Sequence, residues 1–79
     1  MIKTMVKLDT VEKIKEFVLA ISKFTADADL SSQNRRFVVD AKSLLGVFSL
    51  DTARPLILII HDDESQAGKY KALMDKFAA

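Results

Sequence analysis

Leu56-Ile57-Leu58-Ile59-Ile60 decides how this chain is arranged, because it holds no polar side chain and would be apolar on both faces as a strand. Such a strand belongs inside a sheet, with a neighbour on each side. Asp51 to Pro55 breaks the chain before it, since a proline restricts the residue ahead of it as well as itself. Alternation points Leu56, Leu58 and Ile60 one way and Ile57, Ile59 and His61 the other. One of these triplets must face away from whatever covers the sheet, and Met5 and Val38 can join it there. An apolar patch of that kind supports a homodimer or a protein partner.

Beyond His61, any of Asp62, Asp63 or Glu64 can start a last helix, where acidic charge is favourable. Ala67, Tyr70, Leu73, Met74 and Phe77 form its apolar stripe and cover the sheet. Before Asp51, Ser43 caps a short helix through Leu50 in which Leu44, Leu45, Val47, Phe48 and Leu50 leave few polar positions. Arg35 to Lys42 reads as a strand. Ser31-Ser32-Gln33-Asn34 reads as a turn, and Ala26, Ala28 and Leu30 alternate with Asp27 and Asp29 in a second strand of the same hairpin. Val11, Ile14, Phe17, Val18, Ile21 and Phe24 recur at helical spacing, with Asp9 or Thr10 as the N-cap. Ile2, Thr4, Val6 and Leu8 alternate with Lys3, Met5 and Lys7, as a half-buried strand does. The predicted order is strand, helix, strand, strand, short helix, strand, helix. That order folds as an α+β two-layer domain over residues 1–79, one sheet with helices on one face.

Composition narrows the function. A chain of 79 residues buries only about 60% of its unfolded surface, but 49% hydrophobic residues suffice for one core. The net charge of +1 lacks the basic excess that generic nucleic-acid binding requires. With no cysteine, disulfides, thiolate catalysis and Cys-based zinc sites are excluded, and the single histidine, His61, cannot form a multi-histidine metal site. No apolar run approaches the ~20 residues of a membrane span, and Met1–Leu8 is not followed by the apolar region of a secretory leader. The expectation is a soluble cytoplasmic protein without cofactor, nucleic acid or membrane partner.

At Ser22-Lys23-Phe24, and again at Lys42-Ser43-Leu44-Leu45-Gly46-Val47-Phe48-Ser49-Leu50, the sequence resembles HPr, the phosphocarrier of the bacterial phosphoenolpyruvate-dependent sugar phosphotransferase system. The second stretch matches the family's regulatory-serine segment, and the resemblance extends over nearly the whole chain. It implies an open-faced β-sandwich, a four-stranded antiparallel sheet covered on one face by three helices (βαββαβα). HPr carries a histidine at the start of its first helix, followed by an arginine and a proline. Anchoring on Ser22-Lys23-Phe24 places Thr10, Glu12 and Lys13 at those three positions. A threonine oxygen cannot form the labile phosphoramidate that passes phosphate onward, and Glu12 repels a dianionic phosphoryl group. The resemblance therefore implies a non-enzymatic, divergent member without the phosphocarrier histidine. Family members that lack this histidine but keep the regulatory serine form a known type, and this sequence is similar to that type in pattern.

Ser43 matches the serine that an ATP-dependent kinase phosphorylates in many HPr proteins, the product binding a regulator of carbon use. A simple capping role, worth about 1 kcal/mol, is compatible with it. Lys42, Leu44, Leu45 and Phe48 match positions that dock partner proteins. The partners so implied are an HPr kinase, a carbon-catabolite regulator or phosphotransferase-system enzymes. The alternative is a working phosphotransfer component with an unorthodox acceptor. His61 is poorly placed for that role: the end of the fourth strand lies beside the start of the first, away from the first helix's N-terminus, with acidic residues after it. Arg35-Arg36 reads as a solvated hairpin end, and Asp27, Asp29 and Asp62-Asp63-Glu64 as exposed alternation and a helix start rather than metal ligands.

Overall fold

A computed structural model describes residues 1–79. Its elements are β1 (Ile2–Val6), α1 (Val11–Ser22), β2 (Ala28–Ser31), β3 (Val38–Asp40), α2 (Leu44–Phe48), β4 (Leu56–Ile60), a 3-10 helix (Glu64–Tyr70) and α3 (Lys71–Lys76). The sheet is antiparallel with strand order β1-β4-β2-β3. β4 is thus interior, paired with β1 from Ile2↔Ile60 to Val6↔Leu56 and with β2 from Ala28↔Ile60 to Ser31↔Ile57. This is the α+β open-faced arrangement expected from the order of elements. All five residues of β4 are buried.

Leu56, Leu58 and Ile60 belong to the core, together with Val6, Leu30, Ile14, Phe17, Ile21, Val47, Tyr70 and Phe77. Ile57 and Ile59 lie on the other face and outside that cluster. An edge-to-face contact at 5.4 Å joins Phe17 of α1 to Phe77, and Phe24 leans on Tyr70 at 4.7 Å. The stripe of α1 holds at Ile14, Phe17 and Ile21, whereas Val11 in the first turn is exposed.

Several boundaries differ from the sequence-based expectation. β3 is confined to Val38–Asp40 instead of Arg35 to Lys42, because side chains enlarge the preceding turn. The Asn34 side-chain oxygen accepts from Ser32 Oγ at 2.7 Å and from the Arg36 N–H at 2.9 Å, and Arg35 adopts φ 59°. Ser31 lies within β2, which starts at Ala28 and not Ala26. The last helix opens as a 3-10 helix, with Asp63 accepting the Ser65 N–H at 2.8 Å, and becomes α-helical only at Lys71. Beyond it the tail returns to β1: Lys7 N–H donates to the Phe77 carbonyl, Ala79 N–H to that of Met5, and Val6 bridges Ala78.

Candidate functional site

Two places could carry phosphate chemistry in this architecture, the entrance of α1 and the entrance of α2. At α1, Thr10 is the N-cap residue: its extended backbone turns the hydroxyl inward to accept the Lys13 N–H at 3.1 Å. Asp9 precedes it, paired with the Lys13 ammonium at 3.0 Å and with that of Lys7 at 3.9 Å. The Lys13 bond holds the Asp9 carboxyl below the ordinary carboxylate range. Glu12 adds a second acid in the first turn. The helix entrance is therefore already supplied with negative charge, and its lysines serve Asp9.

At α2, the exposed Ser43 is the N-cap, and its Oγ accepts the Gly46 N–H at 3.1 Å. Gly46 fits closely: a methyl group there would lie 3.1 Å from Ser43 Oγ and 3.2 Å from Val39 Cβ. The helix is five residues long and turns only Val47 into the core; Leu50, just beyond it, is also buried. Leu45 is 83% exposed, Phe48 42% and Leu44 36%, so three of the four expected docking residues present apolar surface around Ser43. Lys42 does not. Its ammonium is drawn inward to donate to the Phe24 carbonyl at 2.7 Å, a part-buried bond that fastens the end of α1 to the β3–α2 turn.

His61 lies at the far end of β4, where Ile60 pairs with Ile2 at the start of β1. The carboxylate that meets it is not one of the acids following it but Asp29 on β2, whose Oδ2 is 2.7 Å from His61 Nε2. Asp29 is thus engaged rather than a bare solvated acid. Asp62 instead accepts the Tyr70 hydroxyl at 2.6 Å and pairs with Lys69 at 3.2 Å, while Asp63 caps the 3-10 helix. Asp27, Asp29, Asp40 and His61 surround a shallow depression at this end of the sheet, but no cluster of three has the geometry to hold a metal ion. Arg35 and Arg36 are exposed in the hairpin turn. A larger groove, about 540 Å³, separates that turn from the α2–β4 loop and is lined by Gln33, Phe37, Leu50 and Arg54 among others. Nothing in the sequence marked it, because β3 and α2 stand between its two walls in the chain and only the pairing of β2 with β4 brings them together.

The fold that carries these features is the HPr fold. Among solved structures, the chain is similar to the crystal structure of HPr-C-His from Thermoanaerobacter tengcongensis, with a TM-score of 0.76 and 24% sequence identity, over 98% of this chain and 91% of that one. No protein-family model matches the sequence, and no curated protein matches it either. No helix is long and apolar enough to cross a membrane.

Proposed function

We propose that this chain is an HPr-like protein that has lost histidine phosphocarrier chemistry and acts, without catalysis of its own, by binding other proteins, under the control of phosphorylation at Ser43. The observation that carries the reading is the contrast between the two helix entrances. Both hydroxyls are exposed N-caps, but Thr10, aligned with the phosphocarrier histidine, offers no ring nitrogen and sits between the acids Asp9 and Glu12. Ser43, aligned with the regulatory serine, is exposed and ringed by the uncovered side chains of Leu44, Leu45 and Phe48. A phosphoryl group on Ser43 Oγ would inherit the Gly46 N–H and place a dianion beside that apolar surface, which changes what can dock there. Because Lys42 is turned towards Phe24, the backbone rather than a lysine would meet the phosphate.

A second reading, phosphotransfer through an unorthodox acceptor, draws on the His61–Asp29 contact, since a carboxylate holding one ring nitrogen leaves the other free to attack phosphorus. Asp27 and Asp40 share the depression and no cation lines it, which opposes a phosphoryl donor. A paired labelling assay separates the two. With phosphoenolpyruvate and the general phosphotransferase enzyme, no acid-labile, base-stable label is expected. With ATP and an HPr kinase, label is expected on the wild-type chain and not on Ser43→Ala. Acid-labile label lost in His61→Ala would favour the second reading, and failure of the ATP arm would remove the regulatory role.

A further inference from the structure

The sheet face without helices presents two rows of side chains. Strand register aligns Met5, Ile57, Ser31 and Val38 in one row and Lys3, Ile59, Asp29 and Asp40 in the next. In the first row the two outer residues remain open, Met5 at 36% and Val38 at 47% exposure, while Ile57 between them is shielded. Ser31 in the same row is only 1% exposed, so the middle of this face is closed to water. In the second row, charge is divided by edge: Lys3 stands on β1 and Asp40 on β3. Neither forms an ion pair within the chain.

We propose that this face pairs with the same face of a second copy, about a two-fold axis running parallel to the strands. Rotation about that axis keeps each row over itself and reverses the strand order, so β1 of one copy lies over β3 of the other. Lys3 of each copy then meets Asp40 of the other, and Met5 meets Val38; both contacts occur twice, as a closed dimer requires. A two-fold axis lying across the strands would instead stack β1 on β1 and slide the rows, bringing Lys3 over Met5 and Asp40 over Val38. Charge would then be buried on apolar groups, which is costly. Only the strand-parallel axis lets both edge charges meet opposite charges; it also sets Asp29 over Ile59 of the other copy, where the contact with His61 at 2.7 Å already partners the carboxylate. The arrangement is the ordinary aligned packing of two sheets, about 30° apart. Strands of three to five residues make the face small beside the roughly 1,600 Å² of a standard interface, so the dimer is weak and concentration-dependent. The helices lie on the opposite face, and the surface around Ser43 stays free.

Sedimentation equilibrium of the full chain at low salt, up to about 1 mM, reads the association directly. Dimer is expected to form across the series. Lys3→Glu and Asp40→Lys should each weaken it by about tenfold or more, because like charges then meet twice. An equimolar mixture of the two variants should recover the wild-type constant. In the mixed dimer the glutamate introduced on β1 of one chain faces the lysine introduced on β3 of the other, while the remaining Lys3–Asp40 contact is native. A monomer at every concentration, or a mixture no tighter than the separate variants, overturns the proposal. Should Asp40→Lys unfold, Lys3→Glu at its exposed position carries the test alone, and an unchanged constant in that variant also overturns it.

Discussion

Tyr70 is the one tyrosine of a chain that has no tryptophan, and it is fully buried with its hydroxyl on Asp62. Burial, with the Asp62 bond second, pushes its pKa up to about 12 from 10.0. The neutral phenol is what the fold stabilises. That contribution is complete below pH 10 and lost as pH rises towards about 12. Phenolate absorbance of the folded chain is therefore expected to rise near pH 12 rather than near pH 10 in a spectrophotometric titration. Asp62 works in the opposite direction. Its pKa is lowered, first by the Tyr70 hydroxyl and then by the Asp63 N–H, so its contribution is present above its ordinary value of 3.8 and disappears on acidification through the depressed one. Tyr70→Phe removes the shared bond and should cost about 1 kcal/mol in urea unfolding while weakening this acid dependence. Gly46→Ala places a methyl group 3.1 Å from Ser43 Oγ and 3.2 Å from Val39 Cβ, a crowding that offsets the gain of about 1 kcal/mol in helix propensity, so melting curves should show little net change.

Among the elements, β4 was the most legible, because five apolar residues without a polar face admit few positions other than the middle of a sheet. The 3-10 helix was not legible. Ala67, Tyr70 and Leu73 recur every three residues, a spacing that α and 3-10 helices both accept, and only Met74 and Phe77 favour the α period. β3 was overextended for a different reason: the Ser32 and Asn34 side chains replace ladder bonds with local ones, and alternation cannot report that competition. At the candidate site, Ser43 as a cap could be anticipated from its place ahead of an apolar run, and the exposed leucines of α2 only from the resemblance to HPr. The inward turn of Lys42 and the contact of His61 with Asp29 could not, since each joins residues far apart in the chain. The exposure of α2 gives a functional prediction. Leu45→Asp should leave stability within about 0.5 kcal/mol of wild type by denaturant unfolding, yet reduce binding to any partner that reads the Ser43 surface. By contrast, Phe77→Ala empties its edge contact with Phe17 and should cost about 3 kcal/mol by the same measurement.

Taken as a whole, the molecule separates its two candidate surfaces by the thickness of one sheet. The apolar ring around Ser43 lies on the helical side, and the row from Met5 to Val38 lies on the bare side. Changes on one should therefore leave the other unaltered. Lys3→Glu is expected to be labelled by ATP and kinase as fast as wild type, and Ser43→Asp to dimerise as well as wild type; coupling in either assay would place the two surfaces in contact. The tie between Lys42 and the Phe24 carbonyl has a chemical corollary. An ammonium donating at 2.7 Å to a half-buried oxygen is shielded from acylating reagents, whereas Lys15 and Lys23 stand open on α1 and at its end. In a time course with an amine-reactive ester, Lys42 should thus be a slow lysine, and its modification rate becomes a clock for how often its tie to the Phe24 carbonyl opens.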